Sequence, residues 1–207
     1  MSDRLDLRRF HRLSAIIIAT YLVFHILNHI IGLAGQQQHI DFMNAIRPFY
    51  RNPIVEPVLL LFLVFQISSG LTMVVRNWRD RKGKVAWAQA ISGIYLAAFL
   101  LNHVTSVLIG RSVLGLDTDF RFAAAGMQVS PFQWFFAPYY ALAVTALFTH
   151  IGCALYWRAD GSRQGAARRI LAVMSATGAV LGVLIVLSLS GRLYPIDIPD
   201  SYLAPYP

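Results

Sequence analysis

The stretch LSAIIIATYLVFHILNHIIGL, Leu13–Leu33, decides the fold. It is a run of about twenty mostly apolar residues, enough for a helix to cross a hydrocarbon core of ~30 Å at a rise of ~1.5 Å per residue. A cleavable signal peptide has a shorter apolar region, and His25, Asn28 and His29 interrupt this one. Four more runs follow, at Ile54–Val75, Val85–Ile109, Phe132–Trp157 and Ile170–Leu189. An open sheet could not satisfy its backbone in lipid, so each run reads as a helix. The expected fold is all-α, a polytopic bundle of five transmembrane helices forming a single membrane domain over residues 1–207.

Composition agrees. The chain is 57% hydrophobic and 14% charged, with a mean hydropathy of +0.54. Soluble domains carry about 25% charged residues. The lone Cys153 lies inside the fourth run, which excludes an intrachain disulfide framework.

The connections sort by charge. Arg4, Arg8, Arg9 and Arg12 precede the first run. Arg76, Arg79, Arg81, Lys82 and Lys84 follow the second, and Arg158, Arg163, Arg168 and Arg169 follow the fourth. Thirteen of the 18 basic residues therefore share one face. The positive-inside rule puts that face and the N-terminus in the cytoplasm, and the C-terminus outside. A basic rim against anionic headgroups accounts for the net charge of +8. No nucleic-acid-binding motif accompanies it. Trp78, Trp87, Trp134 and Trp157 mark span ends, as interfacial aromatics do. The two longest loops, Gly35–Pro53 and Arg111–Pro131, are expected to hold short helices, and the tail from Tyr194 to be irregular.

Histidines carry the candidate chemistry. His25, His29, His103 and His150 fall inside spans, whereas His11 and His39 fall at or beyond span ends. A polar residue at membrane depth faces the protein interior and is a functional candidate, although one histidine alone could simply hydrogen-bond a neighbouring helix. His25 lies about 13 residues into the first run, roughly 20 Å from the basic face at helical rise. His103 lies about 18 residues into the third run, which is parallel to the first, so the two can share an outer level. His29 is one turn beyond His25 and also reaches that level, so it is the alternative ligand on the first run. His150 belongs to the inner half, and the second run offers Gln66, Ser68, Ser69 and Gly70 at its level. Paired neutral imidazoles are what six-coordinate haem iron needs. Small residues, Ser92 and Gly93 on the third run and Gly152 and Cys153 after His150, would let a flat macrocycle approach, and are also ordinary membrane packing. No carboxylate stands at mid-depth beside these histidines.

The order of these features resembles the single-chain, five-helix cytochrome b membrane anchor of succinate dehydrogenases and fumarate reductases. The similarity rests on Arg8-Arg9-Phe10-His11-Arg12-Leu13-Ser14, on Phe24-His25-Ile26-Leu27-Asn28-His29, and on Gln66-Ile67-Ser68-Ser69-Gly70. Ser92-Gly93 with Leu101-Asn102-His103, and Phe148-Thr149-His150, complete it. It covers residues 8–157, and the fifth span by hydropathy only. The resemblance implies that His25 and His103 hold a distal haem b. It also implies that a proximal haem would use His150 and a second-span histidine four residues before a glycine. Gln66 stands there instead, so one haem is expected, with two as the alternative. The resemblance further implies quinone, a bacterial inner membrane, and flavoprotein and iron–sulfur subunits docked on the basic face. Arg12 and Ser14 are weak candidates for quinone or propionate contacts; a snorkelling arginine and a helix N-terminal serine are the better explanation of both. Arg47, Arg51 and Arg111 are outer-face candidates of the same kind. The chain has no dinucleotide fingerprint or cysteine cluster of its own, so it would act within a complex. The alternative is a stand-alone haem-binding or accessory protein on the same scaffold, which the Gln66 replacement favours. A transporter is disfavoured, since no inverted repeat or broken-helix pair is visible.

Overall fold

The computed structural model describes residues 2–206, with side chains from Asp6 to Tyr206. Arg4, counted above on the basic face, has its side chain outside the described residues. The chain is all-α. In order come α1 (Ser2–Ile31), a 3-10 turn (Gly32–Ala34), α2 (Gln36–Tyr50), α3 (Val55–Arg76) and α4 (Lys84–Ser112). Then come α5 (Phe120–Gln128), α6 (Gln133–Tyr156), a 3-10 turn (Gly161–Arg163), α7 (Gln164–Leu189) and α8 (Asp200–Leu203).

Five segments are long and apolar enough to cross a membrane: Asp6–Ala34, Val55–Arg76, Lys84–Ser112, Gln133–Tyr156 and Gly161–Leu189. They are the five expected spans, with two beginning earlier than expected. α1 starts well before Leu13, and α7 before Ile170. Hydropathy marks only the part of a helix that sits in hydrocarbon. Arg, Ala and Gln favour helix without being buried, so the helix runs on through its polar first turns. Many outward-facing side chains are large and apolar. Val23, Leu61, Ile91, Leu101 and Val180 are 61–70% exposed, as helices facing lipid require.

Among the described residues the helices gather into two compact units, one ending at Asp80 and the other beginning at Arg81. In the first, α1 and α3 run antiparallel, with His11 against Gln66 and Ser69. The chain then turns at Gly32–Gly35, and α2 folds back on α1, burying His39, Ile40 and Met43. In the second unit α4 and α6 are antiparallel, pairing Ser92 with His150 and Phe99 with Tyr139. α6 and α7 are also antiparallel, and they approach most closely at Gly182. A Cβ there would lie 2.7 Å from the Ala141 carbonyl oxygen. Gly178, one turn earlier, meets Phe148 in the same way. This is the small-residue spacing that lets membrane helices touch backbone to backbone.

Both long loops contain the short helices expected of them, α2 and α5. Asp119 caps α5, accepting from the Arg121 amide at 2.8 Å. The tail departs from an irregular course. Its α8 turn buries Tyr202, and Tyr206 packs its ring 5.2 Å from that of Phe132. Aromatic side chains bury enough area to fix a short segment that lacks helical propensity.

Candidate functional site

The first unit carries a row of rings on one face of α1. Tyr21, His25 and His29 follow at the i, i+4 spacing that stacks side chains along a helix. Tyr21 and His25 lie parallel with centroids 5.6 Å apart, and His25 meets His29 edge-on at 4.9 Å. α2 adds His39, whose ring is 5.2 Å from His29, and Tyr50, 5.4 Å from Tyr21. Buried Asn28 joins the row, its amide nitrogen 3.1 Å from His39 Nε2. The amide oxygen Oδ1 of Asn28 is buried with no hydrogen-bond partner. A buried acceptor left bare is costly, so this spot suits a ligand or water that donates a hydrogen. Burial, and then repulsion from His25, lowers the His39 imidazole to about 4, so it is neutral in the fold. His39 was read as a residue beyond the span. The return of α2 makes it part of the cluster.

The other end of α1 holds a second polar group. Ser69 Oγ donates to the Phe65 carbonyl at 2.6 Å, leaving its oxygen to accept from His11 Nδ1 at 2.7 Å. With Nδ1 protonated, Nε2 of neutral His11 accepts from the Gln66 amide at 3.0 Å. Gln66 Oε1 in turn accepts from Ser14 Oγ at 2.5 Å. Ser14 and Ser69 are 2% and 4% exposed, so the network is sheltered as well as satisfied. His11 was expected at or beyond a span end. It lies in the polar first turns of α1, which continues through the arginines that precede Leu13. Gln66, expected opposite His150, has its amide committed within its own unit. Ser14 is part of that network, while Arg12 is exposed and donates to the Arg8 carbonyl at 3.2 Å.

In the second unit His150 is oriented by α4. Its Nδ1 lies 3.1 Å from the Gln89 carbonyl oxygen and 3.2 Å from Ser92 Oγ. A carbonyl only accepts, so Nδ1 carries the proton and Nε2 of the neutral ring keeps its lone pair. A backbone bond to one ring nitrogen is how proteins orient a histidine whose other nitrogen binds metal. Gly93 makes the approach possible: a Cβ there would lie 3.0 Å from His150 Cε1. His103 stacks on Phe99 at 5.1 Å and 12°. Phe99 is itself held by Tyr139, whose hydroxyl donates to the Phe99 carbonyl at 3.2 Å and accepts from Asn102 at 3.1 Å.

His150 has a set tautomer, and His25 and His103 are imidazoles stacked on Tyr21 and Phe99. Among the described residues no group of three or more His, Cys, Asp or Glu is placed to hold a metal ion. Arg47 bonds Met43 Sδ at 3.2 Å. Arg51 follows α2 and Arg111 ends α4. Asp119 and Arg121 escaped sequence reading as a pair. Their 2.9 Å ion pair buries the carboxylate, and burial raises the pKa of Asp119. The N-cap position of Asp119, four residues ahead of an alanine run, was the available signal.

Comparison with protein families, with curated proteins and with solved structures returned no match to this chain.

Proposed function

We propose that this chain is a b-type cytochrome membrane subunit that binds one haem. It would support quinone-linked electron transfer in a complex like succinate dehydrogenase or fumarate reductase. What supports the reading is the placement of His25, His103 and His150 on the first, third and fourth of the helices long and apolar enough to span a membrane, where the resemblance expects ligands; Gln66 departs from it on the second. By the resemblance, His25 and His103 are the axial ligands. The aromatic neighbours Tyr21 and Phe99 support this by holding each imidazole flat. Bound haem supplies one-electron chemistry. The chain's own Tyr21 and Phe99 orient the imidazoles.

One haem follows from Gln66. A primary amide is not an ordinary axial ligand, and this one is held by Ser14 and His11. The purified protein should show a reduced-minus-oxidised b-type α band, lost in His25→Ala and His103→Ala. Pyridine haemochrome assay should give one haem per chain. A folded, haem-free preparation from haem-replete cells defeats the proposal, and two haems per chain defeat the Gln66 argument.

The same Gln66 network favours a second reading, a stand-alone haem-binding or accessory protein with no dehydrogenase partner. Mild solubilisation separates the two. Flavin-containing and iron–sulfur chains co-purify in the first case and not in the second.

A further inference from the structure

α3 ends at Arg76, and the chain leaves it through a turn at Asn77–Asp80. A cleft of about 450 Å³ opens there, lined by Val75, Arg76, Trp78, Arg79 and Asp80. A narrow crevice adjoins it, lined by Leu7 and Arg8 of α1 and by Met73, Arg76 and Asn77. Arg76 lines both. Three arginines from two helices and a turn thus converge where a membrane-spanning helix stops.

Charge balance favours an anion. Arg8, Arg76 and Arg79 form no ion pair among the described residues. Against their three positive charges stand Asp80 and the α3 C-terminus, whose dipole is worth roughly half a negative charge. The cleft is also half apolar. Val75 is 74% exposed and Trp78 47% exposed, immediately beside the arginines. A water-borne anion would make no use of Val75. An acidic protein surface would leave a concave, partly apolar floor unfilled. A phospholipid satisfies both halves, its phosphodiester on the guanidinium groups and its glycerol and upper acyl carbons on Val75 and Trp78.

We propose that this cleft is a specific site for the headgroup of an anionic phospholipid. Arg8, Arg76 and Arg79 bind the phosphate, and Trp78 and Val75 bind the apolar shoulder. The proposal does not depend on haem.

Native mass spectrometry of the full chain in detergent tests it, with phosphatidylglycerol, phosphatidylcholine of the same acyl chains, and inorganic phosphate as probes. Phosphatidylglycerol should be retained over phosphatidylcholine. Arg76→Gln with Arg79→Gln should lower its retention by about tenfold or more. Lys82→Gln with Lys84→Gln removes the same charge nearby and should leave retention within about twofold. Equal loss from the two double variants would mean a diffuse basic rim and would overturn the site. So would unchanged retention in the arginine variant, or displacement of the lipid by inorganic phosphate at millimolar concentration. Loss of a co-purifying acidic protein with lipid retention intact would assign the cleft to that partner instead. Because the arginines are exposed, the variants should melt as the parent does. Arg79→Gln alone, with a several-fold loss, serves if the double variant does not.

Discussion

His39 shows how a single side chain sets a pH limit on the fold. Burial holds its folded pKa near 4, whereas an unfolded histidine titrates near 6.5. Above about pH 6.5 both states are neutral there, and His39 costs nothing. As pH falls toward 4, the unfolded state takes up the proton first, and stability is lost across that window, by up to roughly 3 kcal/mol. His39→Gln removes the titration and can keep the bond to Asn28. Its melting temperature should therefore fall less steeply than the parent's between pH 6.5 and 4. Parallel profiles would mean that His39 is hydrated in the fold. Little of this was readable in advance. The His25 and His29 spacing is local, one helical turn, and so the sequence displays it. His39 joins them only because α2 reverses at Gly32–Gly35. His11 meets Gln66 across 55 positions, a pairing that depends on the register of α1 on α3. Hydropathy fixes which residues lie in a helix but not how two helices slide against each other.

At the level of elements, α6 and α7 depend on the absence of side chains. Gly178 and Gly182 are one turn apart, and Ala141 fills the space where a Cβ would stand at Gly182. With no hydrophobic drive between helices in lipid, close packing supplies much of the attraction. Thr149 and Ser175 add a 3.0 Å hydrogen bond in the same seam. Gly182→Leu must move the backbones apart, and should cost about 1–3 kcal/mol or more. The expected readout is a melting temperature several degrees lower in detergent. Val183→Leu, on a 52% exposed position next to it, should change it little. Equal effects would show that the seam tolerates volume. The five spans were legible because each apolar run is long enough to cross a bilayer. The starts of α1 and α7 were not, since their first turns are polar and give no hydropathy signal. The α8 turn was hidden for a related reason: aromatic packing by Tyr202 and Tyr206, not propensity, holds it in place.

For the whole molecule, each crossing carries the chain to the other side of the bilayer, so successive loops alternate between two sides. The positive-inside rule expects the basic residues of 76–84 and 158–169 on one side, and the long loops that hold α2 and α5 on the other. Charge and hydropathy are separate properties of the sequence, so their agreement constrains topology more than either does alone. With four or six spans the basic loops would no longer share a face. Single-cysteine labelling reads this directly. In a Cys153→Ser background, whose parent thiol is fully buried, Lys82→Cys and Ser162→Cys should react with a membrane-impermeant maleimide only after the membrane is opened. Leu114→Cys, in the turn after α4 and 47% exposed before substitution, should react in intact cells. Labelling of Lys82→Cys and Leu114→Cys from the same side would remove one crossing and the positive-inside assignment with it. The inverse pattern would keep five spans but turn the protein over. The arginine cleft at Arg76 would then face the outer leaflet, and any dehydrogenase partner would have to dock on the opposite side from the basic loops.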